Sequence, residues 1–173
     1  LLPTIRSRAQ RIAFAPLAND AMQAWIARSG LNLGPNANWL TNYAAGSPGR
    51  LAEAIDTNLA AWHDVLAPGL RAADNGNYDP MLAPGMHTIV DEWAKAWVAK
   101  DDKRSKEAAN RMAIERLFSM IAQHARANLA EPKQTRRALA MIDAIARAET
   151  LLRSNVQTAL VLEGLAADLP AAG

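Results

Sequence analysis

Apolar residues recur at helical spacing along almost the whole chain. In NDAMQAWIARSG, residues 19–30, Met22, Trp25 and Ile26 share one face, with Asn19 or Asp20 as the expected cap and Gly30 as the stop. NANWLTNYAAG predicts a shorter helix from Asn36 or Asn38 to Gly46. A longer pattern starts at Ser47, whose hydroxyl suits an N-cap. Pro48 follows at the first helical position, where a missing N–H costs nothing. Leu51, Ile55, Leu59, Trp62 and Leu66 form its stripe, and Asp56 and Thr57 can cap a second helix within it, so a domain boundary is expected there.

Residues 68–85, PGLRAADNGNYDPMLAPG, read as a loop with at most a short helix, because Pro and Gly interrupt them repeatedly. Beyond them come three further stripes. Met86, Ile89, Val90, Trp93 and Trp97 form the first, Ile114, Leu117, Phe118 and Ile121 the second, and Ala138, Ile142, Ile145 and Leu152 the third. DDKRSKE is expected to be a solvated connection, Pro132 to start the third helix, and Asn155 to cap a last one running through Leu160, Val161 and Leu165 to Pro170. The one strand-like piece is TIRSRAQRIAF, residues 4–14, ended by Pro16. The expected fold class is all-α, with a short strand at the N-terminus, a small helical unit and a larger antiparallel bundle.

Composition agrees, because Ala and Leu are abundant and β-branched residues scarce in these 173 residues. No stretch approaches the roughly 20 continuous apolar residues of a membrane span. The opening lacks the basic, apolar and small-residue order of a secretory signal. With no cysteine, disulfides and thiolate metal sites are excluded, and a cytoplasmic location is the expectation. The net charge is +2. A balance so close to neutral does not suggest a dedicated nucleic-acid binder, although residues 1–16 carry three Arg and no acid, and 133–153 are basic again.

Hydrolytic and metal chemistry finds little support. His63, His87 and His124 are far apart, and none has a second ligand at helical spacing; His124 reads as an imidazole at the edge of the core. No Walker phosphate loop occurs, and GSPGR lacks the Lys such a loop needs. Trp93 and Trp97, four apart, suit core packing better than a base-stacking platform. Arg6 and Arg8 then remain at the strand end, either as plain surface charges or as guanidinium groups aimed at a partner's phosphate.

The stretch LLPTIRSRAQRIAFAPL resembles the end of the AAA+ domain in bacterial clamp-loader subunits, where Pro-Thr-Ile-x-Ser-Arg-Cys leads into a helical lid. Pro3, Thr4, Ile5, Ser7 and Arg8 match, and Ala9 replaces the usual Cys. AAGSPGRLAEAI resembles the Gly-Ser-Pro-Gly-Arg-Ala-Leu segment of the delta-prime branch of that family, with Gly46 to Arg50 matching and Leu51-Ala52 in reversed order. LLRSNVQTALVLEGLAADL resembles the branch's last collar helix. Residues 68–130 add only helical pattern to the resemblance.

The resemblance implies the C-terminal half of a non-hydrolysing subunit of the DNA polymerase III clamp loader, with the phosphate-loop region upstream. Residues 1–16 would end the nucleotide-binding domain, 17–57 form a three-helix lid and 58–173 the collar that holds the ring together. Arg8 would be an arginine finger acting in trans on a neighbour's ATP, with Arg6 auxiliary. ATP-binding relatives carry a Gly-Ser-x-Arg sensor; its Arg position is here Gly49, and Arg50 comes one residue later. The implied chain has no active site, cofactor or metal of its own. Its implied partners are the gamma/tau and delta subunits through the collar, then the sliding clamp and primed DNA in the full complex, and no membrane. The last two helices look broader in apolar surface than one bundle needs, which fits collar contacts through Leu160 and Leu165. The rival readings are an ATP-hydrolysing gamma/tau subunit and a helical adaptor unrelated to nucleotide.

Overall fold

The structure is a computed structural model that describes residues 14–101, 103–154 and 156–171. These residues form eight α-helices and one 3₁₀ turn, with no strand among the described residues. The fold class is all-α. The strand-like stretch 4–13 lies outside the described residues, as does the expected cap Asn155; Phe14 to Ala18 are irregular and exposed. The chain divides into two compact units between Thr57 and Asn58.

The first unit holds α1 (Asn19–Ser29), a 3₁₀ turn (Gly34–Asn36), α2 (Ala37–Ala44) and α3 (Pro48–Thr57). Neither Asn19 nor Asp20 caps α1; Ala18 precedes it without a side-chain bond, and both polar residues fall inside the first turn, where Asp20 meets the positive end of the helix dipole. Gly30, at φ 64°, closes α1 in the left-handed conformation. Ser47 is the cap of α3, its hydroxyl accepting from the Arg50 N–H at 3.3 Å. Met22, Leu40, Tyr43, Leu51 and Ala54 are the buried centre of this unit, and Trp39 stacks on Tyr43 at 5.4 Å. Gly46 is required by both φ and space. At φ +76° a Cβ would lie 2.5 Å from the Leu17 carbonyl oxygen, and Leu17 donates its N–H to the Gly46 carbonyl at 2.8 Å.

Asn58, at φ 57°, interrupts the stripe that runs on from Leu51. Asn adopts this conformation more readily than most residues. After it come α4 (Leu59–Asp74), α5 (Leu82–Val98), α6 (Lys106–Asn128), α7 (Thr135–Arg153) and α8 (Thr158–Ala171). Successive helices from α4 to α8 all pack on one another, α7 turning back along α6, and α8 additionally meets α4 and α5. Leu59, Leu66, Leu70, Met86, Leu117, Ile121, Met141, Leu162 and Leu169 fill the core.

Residues 68–85 are not a loop. α4 continues through Pro68 and Gly69 to Asp74, and α5 begins at Leu82, leaving only 75–81 as connection. The glycines that suggest a turn are crossing points instead. A Cβ on Gly69 would come 2.8 Å from Leu82 Cδ1, and one on Gly85 would come 3.0 Å from Leu66 Cδ2. Pro84 falls in the first turn of α5, where its missing N–H would be unpaired anyway. Pro132 does not start α7, which begins at Thr135 after a turn.

α8 is apolar around most of its circumference because three neighbours within its own unit use it. Val161, Leu162, Leu165, Ala166 and Leu169 are buried, Leu165 to 2% exposure. Leu165 is therefore internal core, which corrects its pairing with Leu160 as a contact for partners. Leu160 is 57% exposed.

Candidate functional site

Arg6 and Arg8, the residues singled out for chemistry, lie outside the described residues. The GSPGR segment is described. Gly49 and Arg50 occupy the first turn of α3; Gly49 is exposed with open space at its Cβ position, and Arg50 is half-buried. One residue of helix turns a side chain by about 100°, so Arg50 does not take the direction that position 49 would offer.

The densest polar constellation among the described residues sits at one end of the second unit, where α4 and α6 finish and α7 starts. Asp74 ends α4. Its carboxylate accepts from Asn128 Nδ2 at 2.8 Å and pairs with His124 Nε2 at 2.9 Å, both on α6. Its backbone carbonyl accepts from the Arg137 guanidinium on α7. Asp74 and His124 side chains are only 13% and 19% exposed, so these bonds are largely shielded from competing water. Gly76, at φ +77°, lets the chain turn beneath the same guanidinium; a Cβ there would meet Arg137 Nη2 at 2.9 Å. One residue thus ties three helices together.

His63 occupies α4 two helical turns or more before Asp74. Burial is the main cause that lowers its pKa from the usual 6.5, and the nearby His124 and Arg71 act in the same direction against the hydrogen bond and charge of Asp64. The nearness of His63 to His124 makes no metal centre: among the described residues no group of three or more His, Cys, Asp or Glu side chains is placed to hold an ion.

Trp93 and Trp97 form a packed cluster. Their rings stack at 6.1 Å, Trp62 meets Trp93 edge-on at 6.4 Å, and the guanidinium groups of Arg116 and Arg104 sit 4.8 Å and 4.4 Å from the Trp93 and Trp97 centroids. The connection 99–105 is accordingly more than a solvated turn. Arg104 also donates to the Trp97 carbonyl at 3.1 Å, and Ser105 caps α6. An open cleft of about 820 Å³ separates the first half of α6 from the α7–α8 corner. Its apolar lining is Ile114, Phe118, Leu152 and Val156, and its charged lining carries both signs.

Sequence patterning marks His124 as an edge-of-core residue, which is where it lies. Asp74, Asn128 and Arg137 carry no such signal, because their partners are 50 to 63 residues away in the chain. Comparison with known protein families, curated proteins and solved structures found no match.

Proposed function

We propose that this chain is a non-hydrolysing subunit of a bacterial replicative clamp loader, similar to the delta-prime branch, and assists ATP-driven loading of the sliding clamp onto primed DNA. The observation that carries this reading is the order and spacing of the sequence motifs. Pro3-Thr4-Ile5 with Ser7-Arg8 comes first, Gly46-Ser47-Pro48-Gly49-Arg50 follows at the start of a helix, and the Leu160-Val161-Leu162-Glu163 run comes last. In this reading residues 1–16 end the nucleotide-binding domain, 17–57 are the lid and 58–173 the collar. Among the described residues, a small all-helical unit ahead of a five-helix unit supports it.

Arg8 is the arginine finger. A guanidinium reaching the neighbour's γ-phosphate stabilises charge that builds on the phosphoryl oxygens during transfer. Gly49 in the sensor position suits a subunit that leaves hydrolysis to its neighbours. The gamma/tau and delta subunits would be the collar partners.

Co-purification with gamma/tau and delta subunits tests the assembly. Leu160→Asp replaces an exposed side chain on α8, so the variant is expected to keep wild-type helicity and to lose at least tenfold in complex recovery. Full recovery with Asp at 160 contradicts collar contacts through this face. No complex with the unaltered chain contradicts the assignment itself.

A further inference from the structure

The bundle end organised by Asp74 carries cations that no carboxylate of the described residues neutralises. Arg71 lies one turn before Asp74, Arg126 lies between His124 and Asn128, Lys133 is in the turn before α7, and Arg136 adjoins Arg137. All four are exposed, and none takes part in an ion pair, whereas Lys95 and Lys106 share Asp91, Arg147 holds Asp168 and Arg153 holds Glu149. The acids near this end are few. Asp74 is engaged by its two partners, Asp79 accepts from the Met81 N–H at 2.9 Å, and Glu131 is the one acid among residues 124–137. The near-neutral total charge of the chain therefore hides a locally positive end.

The backbone that carries these cations is anchored. They stand on three different helices and a turn, each within four residues of Asp74 or of a residue bonded to it. Three of the four are Arg, whose planar fork makes two-point contacts to phosphate oxygens. Tyr78, 58% exposed, lies on the connection 75–81 only two residues beyond Gly76, which turns against Arg137. An exposed aromatic ring on the same bundle end as unpaired cations is the combination that holds a single strand, with phosphates on the charges and a base on the ring.

We propose that this end of the second unit binds the backbone of single-stranded nucleic acid without sequence preference, through Arg71, Arg126, Lys133 and Arg136, with Tyr78 stacking on a base. The inference stands on the charge distribution and goes beyond the clamp-loader reading. A binding measurement on the chain alone tests it, whereas assembly and ATPase measurements test the other, so either can fail by itself.

Fluorescence anisotropy with a labelled single-stranded DNA of about 20 nucleotides is the assay. Four phosphate contacts give a slope of roughly −3 for log affinity against log salt, or an about 50-fold loss between about 50 and 200 mM. Lys133→Glu with Arg136→Glu is expected to lower affinity at least tenfold at the lower salt and to flatten the slope. Lys100→Glu with Lys103→Glu, an equal change of charge at the opposite end, is expected to change affinity less than threefold. Tyr78→Ala is expected to weaken binding about tenfold. Equal losses from the two charge-reversal pairs, no effect of Tyr78→Ala, or binding to anionic phosphatidylglycerol vesicles in place of DNA would each overturn the proposal.

Discussion

Removing the Asp74 side chain is a direct way to measure what ties α4 to α6. Asp74→Ala deletes two hydrogen bonds to a carboxylate, at 2.8 and 2.9 Å, and leaves His124 Nε2 and Asn128 Nδ2 without their acceptor. Bonds to a charged acceptor contribute about 1.5 to 3 kcal/mol each. The 13% and 19% exposure of the pair admits some water, so the lower figure applies, about 3 kcal/mol for both. Two gains offset part of that loss. Ala is the better helix former, and a carboxylate leaves the negative end of α4, together about 1 kcal/mol. The Arg137 bond survives, because its acceptor is the backbone carbonyl. The net expectation is a loss of about 2 kcal/mol, or a urea midpoint lower by about 1 M at an m-value of about 2 kcal/mol/M. Urea unfolding followed by circular dichroism reads the shift. A double-mutant cycle with Asn128→Ala is expected to show coupling of about 1 kcal/mol. Additivity within about 0.5 kcal/mol, or a midpoint within about 0.3 M of wild type, would refute the clasp as a source of stability.

Two further outcomes follow from local geometry and titration. Gly69→Ala is expected to destabilise by about 1 to 2 kcal/mol, because its Cβ meets Leu82 at 2.8 Å, while Gly164→Ala on the open face of α8 stabilises by about 0.5 to 1 kcal/mol; thermal unfolding of both variants checks the opposite signs. His63 has a folded pKa below the unfolded 6.5, so the unfolded chain takes up the proton first. Its contribution to stability is complete above 6.5 and is lost as pH falls from there through the lower folded value. His63→Gln is therefore expected to flatten urea stability between about pH 7.5 and 5.5, and an unchanged slope would refute the assignment.

Local signals made much of the architecture legible. Ser47 followed by Pro48 announces the start of α3, and the stripes through Met86 and Leu117 lie where α5 and α6 bury them. Composition misleads where glycine serves packing: Gly69 and Gly85 look like turn residues because the Leu66 and Leu82 side chains they accommodate are invisible to a local pattern. Ser105 likewise acts as a cap inside a run whose charges suggest only solvent. The clasp had no local signal, since Asp74 finds its partners 50 and more residues away. The unpaired cations at the same end were obscured by averaging over a chain of net charge +2. Arg8 was reached through resemblance, and the role proposed for it is one that only an assembly would display.

Clamp loading and ATPase activity of a reconstituted complex carrying Arg8→Ala test the central claim most directly. A finger supplied in trans contributes ~10³-fold or more at its own site, and a ring with several ATP sites loses less overall because only the site facing this subunit is affected. The expected result is an assembled complex with slowed clamp loading and lowered ATPase activity. Arg8→Lys restores little, since an ammonium lacks the planar two-point contact, and Arg6→Ala is milder. Clamp loading at the wild-type rate by the Arg8→Ala complex would contradict the account and leave Arg8 a surface charge.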